Sequence, residues 1–332
     1  MTFASIIVPA FNVEKTLSET MRYLCAQYYP HYEIIIVDDG STDKTHMIAS
    51  DFAQNENIRL IRQANRGLAG ARNSGIAASR GSIIGFCDAD DLWLPDKLSG
   101  HVRHLKDNPH VGVSFSGSTM IDDESIPLGQ SQRPRLSDID PAHIFKRNPI
   151  GNGSAPVIRK DVFEDIAFRP SHERERDWYF DETFRQSEDI ECWLRIALST
   201  DWEFEGIADL LTLYRISNGG LSAATDRQLA AWEAMVNKLH AMDPDFFATH
   251  SPVARAYQLR YLSRRAVSDL DATRAVELAC ASLKSSWTPL IEEPVKSGVT
   301  LLAVAALSVF GGDFVQRAMN LAANPSRIGA SQ

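Results

Sequence analysis

Apolar residues fall along this chain in two rhythms. Ser5-Ile-Ile-Val8 and Glu33-Ile-Ile-Ile-Val37 contain short unbroken runs of β-branched residues, as expected of strands buried on both faces of a parallel sheet. Between them, Thr16 to Gln27 sets Leu17, Met21, Leu24 and Cys25 at helical spacing, so that one apolar stripe faces the sheet. The alternation predicts further helices over 42–54, 70–79 and 95–105, and strands over 58–61, 82–86 and 111–120. Alternating strands and helices make an α/β sheet, mostly parallel and covered by helices. Residues 122–149 are polar and proline-bearing and read as an irregular excursion. A helix over 187–199 and a strand over 202–215 follow.

From about Thr225 only the helical rhythm remains. Leu229, Trp232, Met235, Val236 and Leu239 recur at helix intervals, and alanine-rich segments continue to residue 323, which predicts a helical appendage. Within it Val299 to Phe310 is apolar on every side, yet shorter than the roughly 20 residues a bilayer span needs. Two readings stay open: a helix buried in the appendage, or one lying in a membrane interface.

Composition narrows the class. With 332 residues, 44% hydrophobic and 23% charged, the chain can bury a sizeable core, which excludes disordered and collagen-like readings. Its 43 acidic and 34 basic side chains leave a net charge of −9, a balance that repels polyphosphate, so no nucleic-acid partner is expected. Cys25, Cys87, Cys192 and Cys280 are scattered without a CxxC pair, which fits a reducing compartment rather than a disulfide or zinc framework. No basic stretch precedes the apolar run at Ala4–Val8, so the start does not read as a secretory signal and a cytoplasmic location is expected.

The candidate chemistry sits in loops that leave the carboxyl ends of the predicted strands, the edge where open α/β sheets bind ligands. After the first strand comes Pro9-Ala-Phe-Asn12, whose Phe11 either packs in the core or offers a face for stacking a base. After the second comes Asp38-Asp-Gly-Ser-Thr-Asp43. Its adjacent carboxylates need a donor or cation to meet them, while Ser41 or Thr42 suits the cap of the next helix. After the fourth comes Cys87-Asp-Ala-Asp-Asp91. Residues two apart in extended chain share a side, so Asp88 and Asp90 converge on one hard cation, Mg²⁺ or Mn²⁺, whereas Asp91 suits a helix cap. Asn65 to Gly75 opens a helix whose free amides, with Arg66 and Arg72, suit a diphosphate, though a plain helix start explains it equally well. Gln186 to Arg195 begins an amphipathic helix; Ser187 reads as its cap, and one carboxylate among Glu188, Asp189 and Glu191 is a candidate general base. His101 and His104 read as a surface pair, and His172 to Asp177 as a solvated charged loop.

In order, Ser5-Ile-Ile-Val-Pro-Ala-Phe-Asn12, Ile36-Val-Asp-Asp-Gly-Ser-Thr-Asp43, Asn65 to Gly75, Asp88-Ala-Asp-Asp91 and Glu188-Asp-Ile-Glu-Cys-Trp-Leu-Arg195 resemble the family 2 inverting glycosyltransferases of the GT-A, Rossmann-like fold. Each piece is weak alone; the ordered set, covering about residues 3–217, is specific. The resemblance implies a nucleotide-binding half over 1–110 and an acceptor half over 111–222, followed by the helical region 223–332. It implies nucleotide contacts from Pro9, Ala10, Phe11, Asn12, Asp38, Asp39, Arg66, Gly67, Arg72, Asp88 and Ala89, with Asp39 accepting from a base N–H, usually of uracil. Asp88 and Asp90 match the DxD element that holds Mn²⁺ or Mg²⁺ and the donor diphosphate. Asp189 matches the catalytic base, with Glu188 beside it, and Trp193 and Arg195 match positions on the acceptor side. Where many relatives carry a histidine after a Tyr-Arg pair, this chain reads Tyr214-Arg-Ile-Ser217, a departure at the third metal ligand.

The implied activity is transfer from a nucleotide-diphosphate sugar, a UDP-sugar by resemblance, to a hydroxyl of a carbohydrate or lipid-linked acceptor in polysaccharide or glycolipid assembly. Residues 122–180 would shape the acceptor pocket, and the C-terminal helices are candidates for peripheral contact with the inner face of a membrane. Two other classes use the same aspartates: a metal-dependent nucleotidyltransferase or phosphatase, and a noncatalytic sugar-nucleotide-binding subunit. The first would want an early glycine-rich loop or a threonine soon after its aspartates, and this chain has Pro9 to Asn12 and Leu92-Trp93 there. The second could dispense with Asp189.

Overall fold

The computed structural model describes residues 2–216 and 225–323. The chain divides into two compact units, Met1–Ile144 with Asn148–Gly220, and Phe145–Arg147 with Leu221–Gln332.

In the first unit, β1 (Ala4–Ala10), β2 (Tyr32–Asp38), β3 (Ile58–Arg62) and β4 (Ile83–Phe86) are parallel neighbours in the order β3-β2-β1-β4. Every residue of β1 is buried, because helices cover both faces, and this is why its sequence does not alternate. Ser5 is the one hydroxyl inside that run, and its Oγ donates to Glu33 Oε1 at 2.8 Å, so it is satisfied rather than stranded. The connecting helices are α1 (Leu17–Cys25), α2 (Thr45–Phe52) and α3 (Gly67–Ala78). Leu17, Met21 and Leu24 of α1 face the sheet at the predicted spacing. Helix α3 starts three residues before the predicted one.

Past β4 the sheet becomes mixed. β8 (Val157–Arg159) lies antiparallel between β4 and β6 (Val111–Ile121), and β9 (Glu203–Arg215) runs parallel to β6. β5 (Leu92–Trp93) closes the order against β9, and β7 (Pro127–Gln132) pairs with β6. Thus 122–149 is not wholly irregular: it holds β7 and α5 (Pro141–Lys146). The exposed residues of β7 form a polar edge hairpin without an apolar stripe, so periodicity had nothing to register. Helices α4 (Lys97–Asp107), α6 (Lys160–Asp165) and α7 (Glu188–Ser199) complete the unit. His101 is fully buried, with Nδ1 2.7 Å from Ser114 Oγ, and His104 shares that hydroxyl at 2.8 Å. The surface-pair expectation is corrected: hydroxyls on β6 satisfy the rings.

The second unit is helical: α8 (Thr225–Leu239), α9 (Pro244–Ser268), α10 (Ala272–Ser285), α11 (Thr288–Glu292), α12 (Pro294–Phe310) and α13 (Gly312–Ala323). Leu259, Leu262, Leu278, Val304 and Leu307 form its core. Helix α12 is not buried all round. Ser297, Thr300, Val304 and Leu307 face inward, whereas Val295, Val299, Leu302 and Val309 are exposed, Val295 to 77%. No helix among the described residues is long and apolar enough to cross a membrane.

Candidate active site

Because β1, β2 and β4 are parallel, their carboxyl ends share one edge, and the candidate loops leave there together. Pro9 and Ala10 are still strand residues and are buried. Phe11 follows with 48% of its surface exposed, so its ring is not part of the core. Asn12 takes a left-handed φ of 53°, which asparagine tolerates, and it joins two loops. Its N–H donates to Ser41 Oγ at 3.1 Å, and its Oδ1 accepts from Thr42 N at 2.8 Å. Ser41 and Thr42 therefore hold the first loop instead of capping α2, where Asp43 Oδ1 accepts from Thr45 N.

The two adjacent aspartates part company. Asp38 is fully buried, accepts from Ser41 N at 2.9 Å, and faces His46 and Arg62 at 3.0 and 3.4 Å. Its carboxylate holds the turn, which corrects its expected nucleotide contact. Asp39 Oδ1 accepts from Gln63 Nε2 at 2.6 Å and Arg66 N at 2.9 Å, and Oδ2 accepts from Gly67 N at 2.8 Å. A carboxylate offers about four acceptor positions, so one remains for a further N–H. Burial pushes the Asp39 carboxyl above its ordinary range, and these three donors oppose the shift.

Asp39 thereby occupies the amides at the start of α3 that the sequence assigned to a diphosphate. The arginines there are occupied too. Arg66 donates to Glu182 at 2.7 Å and also binds Glu173. Arg72 lies against the rings of Phe86 and Phe180 and donates to Asp88 Oδ1 at 3.0 Å and Glu188 Oε1 at 2.9 Å. Neither guanidinium is free for phosphate, which corrects the expectation for Arg66 and Arg72. The supposed solvated loop is what binds Arg66: Glu173 is buried, and Arg176 reaches Glu182 at 2.6 Å.

Three acids crowd the end of β4, and each has a different answer. Asp88 N donates to Ser154 Oγ at 2.8 Å, and the Asp88 carboxylate takes Arg72. Ala89 between them is buried, its carbonyl accepting from Thr20 Oγ1 at 3.0 Å. Asp91 is buried, accepting from Ser154 Oγ at 2.6 Å and Arg215 N at 2.9 Å. It braces the loop and is no helix cap. The Asp90 carboxylate receives no donor from another residue's side chain among the described residues, and burial, then the neighbouring Asp88, pushes it up to about 6. Two carboxylates of hard oxygen, one of them unanswered, fit a divalent cation completed by phosphate or water oxygens. Ser217, the position of the departed histidine, lies outside the described residues. A group of three metal-ligand side chains, His110, Glu203 and Glu205, stands at the starts of β6 and β9, the opposite edge of the sheet.

Helix α7 brings its own acids to this corner. Ser187 has a left-handed φ of 60° and makes no side-chain cap bond, so it turns the chain rather than capping it. Burial raises Glu188 to about 7 against the pull of Arg72, and burial raises Asp189 also. Asp189 Oδ1 accepts from Ile190 N at 2.8 Å and Oδ2 from Asn148 Nδ2 at 2.9 Å. Trp193 and Arg195 lie inside the protein. Arg195 bonds Glu191 at 2.9 Å and the carbonyl of Ile166 at 2.7 Å, and Trp193 packs edge-on against Phe180. Their expected place on the acceptor side is corrected: they anchor α7.

Sequence reasoning missed the loop Asn148 to Ser154, which supplies partners to Asp189, Asp88 and Asp91. Its signal was the asparagine and glycine punctuation of Asn148-Pro-Ile-Gly-Asn-Gly-Ser154. At Gly153 a Cβ would lie 2.2 Å from an Arg72 nitrogen and 2.9 Å from Asp88 Oδ2, so only glycine fits between them.

Residues 5–167 match the family described as Glycosyl transferase family 2. An uncharacterised glycosyltransferase of Nostoc is 37% identical over 172 residues, 49% of this chain and 52% of that protein, so the match spans about half of the relative's length. The Escherichia coli protein WfgD, a UDP-Glc:α-D-GlcNAc-diphosphoundecaprenol β-1,3-glucosyltransferase, is 25% identical over 77% of this chain and 90% of its own. Two solved structures share the fold. Staphylococcus aureus TarS 1–349, in complex with UDP-GlcNAc, aligns with a TM-score of 0.60 at 17% identity over 93% of this chain and 92% of that one. The Pyrobaculum calidifontis mannosyltransferase PcManGT, in complex with GDP-Man and Mn²⁺, aligns with a TM-score of 0.56 at 20% identity over 92% and 86%.

Proposed function

From the match of residues 5–167 to glycosyl transferase family 2 and the GT-A fold shared with solved glycosyltransferases, we propose that the chain is a glycosyltransferase of that family, carrying out a divalent-metal-dependent, inverting transfer of sugar from a UDP-sugar. The acceptor is a hydroxyl of a carbohydrate or lipid-linked glycan in polysaccharide assembly. One observation carries the reading: a single guanidinium, Arg72, touches Asp88 at 3.0 Å and Glu188 at 2.9 Å. It thereby joins the acids after β4 to the acids opening α7, which lie a hundred residues apart in the chain.

Asp88 and Asp90 would hold the cation, which when bound supplies Lewis-acid stabilisation of charge on the departing diphosphate. Asp39 keeps one acceptor position for a base N–H, and the exposed ring of Phe11 offers a stacking face. Asp189 takes the proton of the attacking hydroxyl. Its two oxygens are already oriented by Ile190 and Asn148, so the carboxylate need not reorganise as it accepts that proton. Attack from the face opposite the leaving group in one displacement inverts the anomeric centre. The UDP and undecaprenyl-linked substrates named for WfgD, and the UDP-GlcNAc held by TarS, support the donor and acceptor classes. The outward apolar face of α12 supports contact with a membrane surface.

The test is Asp189→Asn. Turnover of the UDP-sugar with Mn²⁺ should fall at least about a hundredfold, the scale of general-base catalysis, while UDP still raises the melting temperature. Unchanged turnover would remove Asp189 from the mechanism.

A further inference from the structure

We propose that Arg185 is the protein side chain that receives the phosphate groups of the donor nucleotide. The proposal rests on the nucleotide-sugar reading above and identifies a contact that the sequence motifs do not. The site is crowded with carboxyl groups: Asp39, Asp88, Asp90, Asp91, Glu188 and Asp189 all stand at the same sheet edge or beside it. A nucleoside diphosphate brings further negative charge, and two carboxylate-held positive charges from one cation do not offset all of it. A cation from the protein is needed, and the candidates can be worked through.

Arg66 is engaged by Glu173 and Glu182, Arg72 by Asp88 and Glu188, and Arg176 by Glu182. The first amides of α3 are taken by Asp39. Arg185, in the loop leading into α7, is exposed and forms no ion pair or hydrogen bond among the described residues. It nevertheless lies at the nucleotide end. Its guanidinium packs on the bare backbone of Gly67, where an added Cβ would stand 2.3 Å from one of its terminal nitrogens. That glycine has a φ of +78°, and its N–H is one of the donors to Asp39. The charge of Arg185 favours the Asp39 anion, yet the three donors already on Asp39 leave the guanidinium's own N–H groups open. The acids three residues to either side are taken: Glu182 is bound by Arg66, Arg176 and Asn73, and Glu188 by Arg72. An open planar fork beside a base-reading carboxylate is suited to bidentate phosphate recognition. The phosphates are the anionic part of the donor, so the charge argument assigns them, and not the base, to Arg185.

The experiment is isothermal titration of the full chain with Mn²⁺ present, comparing UDP, GDP and uridine on wild type, Arg185→Ala and Arg185→Lys. Wild type is expected to bind a nucleoside diphosphate. Arg185→Ala should weaken it about tenfold or more, as for loss of a charge-assisted bond pair, with uridine affinity and melting temperature unchanged. Arg185→Lys, which keeps the charge but loses the fork, should fall between. Equal diphosphate affinity in wild type and Arg185→Ala overturns the proposal, and so does a parallel loss for uridine. Wild type binding neither UDP nor GDP would instead overturn the nucleotide-sugar reading itself.

Discussion

Two single residues show how far side-chain identity alone determines this site. Phe11 emerges from a fully buried strand and is half exposed, so its ring contributes little to the core. Phe11→Ala should change stability by less than about 1 kcal/mol, yet weaken UDP about tenfold through lost stacking; calorimetry and UDP titration on one preparation check both. Gly153 is the converse, a residue whose lack of a side chain is its contribution. Gly153→Ala should press on Arg72 and Asp88 and lower turnover at least about tenfold with the fold retained by circular dichroism. The aspartates were legible as a group from their place after apolar runs. Which of them face a ligand was not, because it is set by partners that only the fold assigns: Ser41, His46 and Arg62 to Asp38, and Gln63, Arg66 and Gly67 to Asp39. Arg66 and Arg72 looked like phosphate ligands because Glu182 and Glu188, which bind them, both lie 116 residues away in the chain.

At the scale of the element, the strands and helices before residue 107, β5 apart, followed from periodicity, since each buries a stripe or a whole run of apolar residues. Elements that the tertiary fold imposes did not. β5 is two residues long, β8 three, and β7 is polar and exposed; none has a pattern of its own. Helix α7 was legible as a helix but not in its anchoring. Arg195 bridges Glu191 and the carbonyls of Ile166 and Tyr179 within the protein, and removing one partner leaves the other charge buried. Arg195→Met should therefore cost about 3–5 kcal/mol, read in urea unfolding, and leave the acceptor KM of the remaining folded enzyme unchanged. A selective rise in acceptor KM without loss of stability would return Arg195 to the acceptor side.

Over the whole molecule, crowded acids make a pH dependence whose sign can be worked out. Asp90, at about 6, and Glu188, at about 7, are both raised by burial, so the folded protein holds protons that the unfolded chain has released. Stability without metal should increase as pH falls from about 7 toward 5, and be lost again as pH rises through these values. Lys97 acts in a different window. Burial lowers it to about 7, so its contribution is present at high pH and is lost as pH falls from about 10 toward 7. Calorimetry in chelator should show melting temperature rising between pH 7 and 5, and Asp90→Asn should flatten that rise. The helical second unit was legible as helices, but the outward turn of Val295, Leu302 and Val309 was not. The all-apolar segment left both a buried and an interfacial helix open, and here Ser297 and Thr300 face the interior.

The proposed chemistry requires a doubly charged ion held by oxygens of Asp88 and Asp90 together with the donor's phosphates. Paramagnetic resonance of Mn²⁺ added with UDP reads that grip directly. The wild type should bind the ion, more tightly with the nucleotide than without, and Asp90→Ala should leave it free in solution. Equal Mn²⁺ binding by both proteins, or none by either, would contradict it.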